Sequence, residues 1–173
     1  MGTAANVLVG ALTSITLDVI AAEDPAGLEG ASLLPITGFY TTDGITLSIS
    51  TEFANIEVDE VVGVVVRKIT GQDVKVTLNI AEGEIANLTA AIPGSSINVG
   101  GTIITIGGTA LGGFSMVLVG TAPAAGTRTI ALTRVHPTGE VGIPYKKGEV
   151  NMVPVTFSCI VADTGIFGTI TDS

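Results

Sequence analysis

In four separate stretches of this chain, apolar residues recur at every second position. Ile15, Leu17 and Val19 alternate with Thr16 and Asp18, and Ile45, Leu47 and Ile49 alternate with Thr46, Ser48 and Ser50. Val74, Val76, Leu78 and Ile80 alternate with Asp73, Lys75, Thr77 and Asn79. Val153, Val155, Phe157, Cys159 and Val161 share one parity farther on. A period of two places the apolar set on one face of a pleated strand and the polar set on the other. Val, Ile and Thr, stiff at χ1, favour that geometry. The pattern predicts a mainly β, antiparallel fold, a sandwich or partly open barrel, over one domain spanning 1–173.

The connections fit. Residues 21–38 hold Glu23-Asp24-Pro25, Gly27, Gly30 and Pro35 and read as a loop or arm, and Asp43-Gly44 is a turn signal. Apolar parity changes after Phe53, since Ile56 and Val58 are even-numbered, which predicts a bulge near Ala54-Asn55. Residues 59–67, Asp-Glu-Val-Val-Gly-Val-Val-Val-Arg, are apolar where a connection should be polar. They read either as a buried strand or as an exposed loop covered by a neighbouring subunit. One helix is predicted at about 83–92, with Ile85, Leu88 and Ile92 as its apolar stripe, Glu82 and Glu84 at its start, and Pro93-Gly94 as its stop. Short strands are expected near 97–99, 102–106, 114–120 and 128–136, with His136 to Gly139 as a turn. Pro154 belongs at an edge or bulge of its strand.

Composition narrows the function. Charged residues are 13% of 173, against about 25% in ordinary domains. Glycine numbers 23, aromatics are 4% and Trp is absent, which argues against disorder, a coiled coil, a disulfide scaffold and a helical bundle. Seven Lys+Arg against sixteen Asp+Glu give a net charge of −9, which repels phosphate instead of binding it. Mean hydropathy is +0.64, but the charge-free stretch from Ile85 to Thr127 is broken by Pro93-Gly94 and by glycine pairs. No spanning helix fits there, and two Tyr without Trp cannot build the aromatic girdles of a membrane barrel. The first Lys or Arg is Arg67, so no secretory signal and no membrane partner are expected. The lone Cys159 fits a reducing compartment. High apolar content with few charges suggests that other subunits cover much of the surface.

Catalytic groupings are sparse. His136 is the one histidine and reads as a surface residue, and Cys159 reads as a buried, inert thiol. Glu82/Glu84 and Asp59/Glu60 match no calcium loop, and the glycine pairs from Gly100 to Gly113 lack the Gly-Lys-Ser/Thr of a phosphate cradle. Asn87-Leu88-Thr89 matches a glycosylation sequon by chance. The expectation is no enzyme, no cofactor and no metal.

Two segments carry a resemblance. One runs from Gly44 to Ala91 and includes Gly-Ile-Thr-Leu-Ser-Ile-Ser-Thr-Glu, Ile56-Glu57-Val58-Asp59, Val66-Arg67-Lys68 and Thr70-Gly71-Gln72-Asp73-Val74-Lys75-Val76. The other comprises Gly148-Glu149-Val150, Val153-Pro154-Val155-Thr156-Phe157 and Phe167-Gly168-Thr169-Ile170-Thr171-Asp172. Together they resemble the tail tube (major tail) proteins of long-tailed bacteriophages. The resemblance implies a virion structural protein, assembled in the host cytoplasm as six-membered rings stacked into a tube. The long hairpin of each subunit would join a shared inner β-barrel through which double-stranded DNA passes without sequence-specific binding. Partners would be further copies of the chain and other tail proteins: tape measure, terminator, and baseplate or tip.

On that reading Ser48, Ser50, Glu57, Asp73, Lys75 and Asn79 line the lumen. Ile49, Val74, Val76, Leu78 and Ile80 pack beneath the helix through Ile85, Leu88 and Ile92. The loop 59–67 contacts the adjacent ring through Val61, Val62, Val64, Val65 and Val66. The alternatives are another virion component, such as a decoration or tail-terminator protein, and a cell-surface adhesion sandwich.

Overall fold

A computed structural model describes residues 12–20, 44–58, 61–80, 85–98, 100–108, 113–122, 126–145, 147, 152–162 and 165–173. The fold is mainly β and antiparallel, with one short helix. β1 (Leu12–Val19), β2 (Thr46–Val58) and β3 (Val61–Ile80) precede α1 (Ile85–Ala91). β4 (Ser95–Ile97), β5 (Ile104–Ile106), β6 (Phe114–Thr121), β7 (Thr127–Thr138), β8 (Val153–Cys159) and β9 (Gly168–Asp172) follow. Seven strands form one sheet in the order β1-β6-β7-β8-β3-β2, with β9 also on β7, and the sheet is not closed into a barrel. β4 and β5 form a separate pair.

The sheet forks at β7. One edge of β7 pairs with β6, from Thr121↔Thr127 to Phe114↔Val135. The other edge is divided: β9 takes Arg128 to Leu132, and β8 takes Val135 to Thr138. β8 then passes to β3 over Lys75↔Ser158 to Ile80↔Val153. Pro154, opposite Asn79, lies past the last β7–β8 pair at Thr138↔Thr156, where its missing N–H interrupts no second ladder.

Period-two patterning explains the core. Ile15 and Leu17, Phe114, Met116 and Leu118, and Val153, Val155, Phe157 and Cys159 each form one buried face. They share a single cluster with Leu132, Val135, Val74, Val76, Leu78 and Ile80, and α1 joins it through Ala90 and Ala91, with Leu88 packed at its margin. Full burial of each large aliphatic side chain stabilises by roughly 1.5–3 kcal/mol.

The helix ends where Pro93-Gly94 predicts. Gly94 takes a φ of 69°, and the Ser95 hydroxyl donates to the carbonyls of Thr89 and Ile92, both at 2.9 Å. A Cβ at Gly94 would stand 2.2 Å from the Gly108 carbonyl, so this close approach of the helix end to the chain just beyond β5 requires glycine.

Several expectations are corrected. Residues 61–67 are strand: β3 begins at Val61, and Val58↔Val61 closes the hairpin around Asp59-Glu60, which lie outside the described residues. No residue is inserted in β2 near Ala54-Asn55. The register shifts between Glu52 and Phe53 and beyond Ile56, with the extra residues in β3, Thr70 the first of them. Ile49 is 58% exposed, not core, because among the described residues β2 pairs with β3 alone and lies at the end of the sheet. Ile85 and Ile92 are half-buried outside the central cluster, because the small Ala90 and Ala91 make the close contact. His136 is buried, not a surface turn residue, since β7 continues through Pro137 to Thr138 against β8. Glu82, Glu84 and the segment 21–38 lie outside the described residues.

Candidate functional site

β2 and β3 build a projection. β3 pairs with β8 only from Lys75 onward, so among the described residues Val61 to Val74 pair with β2 alone. Within the arm β2, the shorter strand, runs from Ile49 to Val58, so at a rise of about 3.3 Å per residue the arm is about 30 Å long. Thr, Ile and Val, with no proline, favour strand there. A lone two-stranded ribbon is marginal in water unless something packs on it.

The register sorts the arm into two faces. On one, Ile49 opposes Val74, Thr51 opposes Gln72, Phe53 opposes Ile69 and Asn55 opposes Arg67. Gln72 donates to the Thr51 hydroxyl at 3.3 Å, Arg67 Nε donates to Asn55 Oδ1 at 3.0 Å, and the Arg67 guanidinium lies 5.7 Å from the Phe53 ring centroid. Phe53 is 53% and Ile69 54% exposed on this face. On the other face Ser48 opposes Lys75, Ser50 opposes Asp73 and Ala54 opposes Lys68, with Glu52 between. Lys75 Nζ is ion-paired with Asp73. Toward the tip that face turns apolar, with Ile56 opposite Val66. Val64, Val65 and Val66 are exposed.

The sequence-derived sets land as follows. Ser48, Ser50, Asp73 and Lys75 share one exposed face, and Asn79 continues its parity down β3 beside Pro154. The side chains of Glu57, Val61 and Val62 lie outside the described residues. Val74, Val76, Leu78 and Ile80 are buried.

Sequence reasoning did not place the fork. Between the base of the arm and β9 lies an open cleft of about 290 Å³, walled by Leu47, Ile49 and Val74 on one side and by Ile166, Phe167 and Ile170 on the other. It continues the apolar face of the arm. The signal available was Ile170 between Thr169 and Thr171, a β-branched run suited to a strand. β9 is held by Arg128, whose Nε and Nη2 donate to the two Asp172 carboxylate oxygens at 2.7 Å each. Those hydrogen bonds hold the Asp172 carboxyl below its usual range and raise Arg128.

The one cysteine is not poised as a nucleophile. Cys159 is buried, and burial first, then Asp73, pushes its thiol up to about 11. Among the described residues no group of three or more His, Cys, Asp or Glu could hold a metal ion. Asn87 is buried, and Thr89 Oγ1 donates to the Ile85 carbonyl, so the sequon is not presented as an acceptor. Gly100-Gly101 turn the β4–β5 hairpin, where Asn98 Oδ1 accepts from the Thr102 and Ile103 amides. Among the described residues no helix is long and apolar enough to cross a membrane. No protein-family model matches the chain, and no curated protein matches it significantly.

Proposed function

We propose that this chain is a self-assembling structural subunit, and that its assembly is the tube of a phage tail. The observation that carries the proposal is the arm: a projection of about 30 Å with exposed Ile, Phe and Val on both faces. Contiguous apolar surface of this kind marks an interaction site. A protrusion that docks elsewhere on an identical molecule makes a head-to-tail contact, and such contacts generate rings or filaments. The resemblance of the β2–α1 region and the C-terminal strands to tail tube proteins supports the narrower reading. So does the charge of −9, which would let DNA pass without adhering. In the tube, Ser48, Ser50, Asp73 and Lys75 would face the lumen, and Val64 to Val66 would meet the adjacent ring.

Sedimentation velocity over a concentration series tests this. Growth without an upper size is expected. A species that stops at one ring would favour a terminator, and a monomer at every concentration would refute self-assembly.

A further inference from the structure

β9 is a short element with one partner. Among the described residues it pairs with β7 alone, from Arg128↔Asp172 to Leu132↔Gly168, and all of it but Gly168 is exposed. Its fastenings sit at the two ends. At one end the Thr133 amide and hydroxyl both donate to the Phe167 carbonyl at 3.0 Å. At the other, Thr127 and Ser173 exchange backbone hydrogen bonds at 2.7 and 2.9 Å, and Arg128 holds Asp172 through its two hydrogen bonds. A short, exposed strand on a single partner belongs to the low end of local stability. Yet β9 and the residues leading into it form one wall of the cleft. Ile166, Phe167 and Ile170 stand across from Leu47, Ile49 and Val74, with Ile130 and Leu132 of β7 also in the lining. None of the lining residues is charged, and neither Arg128 nor Asp172 is among them.

We propose that β9 is an adjustable wall of a surface on which a second copy of this chain docks, and that the Arg128–Asp172 pair, outside the contact, governs docking by keeping that wall in place. This rests on the self-assembly reading above and adds the device that regulates it. Continuity and charge point to a second copy as the occupant. Ile49 belongs both to the cleft wall and to the arm face that carries Phe53 and Ile69, so a copy that covers the arm face meets the cleft mouth. Copies carrying −9 each repel one another, and an uncharged lining is where they approach at least cost. Docking needs the wall, so the apparent affinity scales with the fraction of molecules in which β9 is paired. By reciprocity, a docked copy stabilises β9 against opening.

The register supplies the test on the full chain. Thr127 and Ser173 form a hydrogen-bonded pair, so Arg128 and Asp172 form the next, non-hydrogen-bonded one, where Cα atoms stand about 4.5 Å apart, within disulfide range. R128C combined with D172C therefore replaces the ion pair by a bond that can be made or broken in one protein, and the native Cys159 is buried. Reduced, the variant is expected to need about threefold more protein to assemble than the unmodified chain, read by sedimentation velocity, and to lose amide protection at Ile170. Oxidised, it is expected to recover both. D172N, which weakens the pair without a cysteine, is expected to behave as the reduced form. Redox states that assemble alike while Ile170 protection differs overturn the coupling and leave self-assembly standing. An oxidised form that assembles less readily than the reduced one overturns it too, because a fixed wall would then hinder docking. Equal protection at Ile170 in the two states overturns the claim that this pair holds β9. An unmodified chain that never associates overturns both readings.

Discussion

Replacing Ile49, Phe53 and Ile69 together by Thr should weaken assembly about a hundredfold and spare the fold. The three side chains line one face of the arm and are 58%, 53% and 54% exposed. Full burial of such a side chain contributes roughly 1.5–3 kcal/mol, so the half still in water offers about 1 kcal/mol each on docking. Three of them amount to about 3 kcal/mol, or about two orders of magnitude in association constant. Thr keeps the strand preference, so the ribbon survives. Sedimentation velocity should show the assembly threshold rising about a hundredfold. The melting temperature should move far less than in Leu78→Ala, a fully buried site where the loss is about 2–5 kcal/mol. An unchanged threshold would refute the claim that this face is a contact. A melting loss as large as that of Leu78→Ala would refute the claim that it is a free surface.

Other consequences follow from single sites. Val64→Asp with Val65→Asp should leave the monomer folded yet block elongation, because burying unpaired charge is costly; electron micrographs showing normal tubes would contradict it. Gly168→Ala places a Cβ 2.2 Å from the Ala131 carbonyl and 3.0 Å from Leu132, so β9 should detach at a cost of about 1–3 kcal/mol, seen as lost amide protection at Ile170. The Arg128–Asp172 pair stabilises β9 above the ordinary carboxylate pKa near ~3.9 and is lost as pH falls through the lowered folded value. Amide protection of β9 should therefore be equal at neutral and mildly acidic pH and fall only in stronger acid, whereas Asp172→Asn should weaken it throughout. Cys159, with its thiol pushed up to about 11, should resist alkylation at mildly alkaline pH until the chain is denatured. Any stability it contributes is lost as pH rises from 9 toward 11.

The strands were legible because alternation is a local signal. Val74 to Ile80 and Val153 to Cys159 each bury the parity that the sequence displays. The helix stop at Pro93-Gly94 was equally local. The arm was half legible. The valines of 61–66 looked wrong for a loop, and they are strand, but an exposed two-stranded ribbon cannot be told from a buried one by composition. Ile49 carries the same parity as Leu47, yet it stays in solvent because β2 is the last strand of the sheet among the described residues. His136-Pro137 reads as a turn by dipeptide preference, and pairing with Ser158 and Phe157 overrides that preference. The fork at β7 depends on β8 and β9 dividing one edge, a long-range choice with no trace in either strand alone.

Negative-stain electron microscopy of the purified, concentrated protein at near-neutral pH tests the central claim most directly. Hollow tubes of uniform width, lengthening with concentration, are the predicted result. Dispersed particles of monomer size under conditions where the protein is folded would contradict it, and would leave the exposed faces of the arm to a different partner.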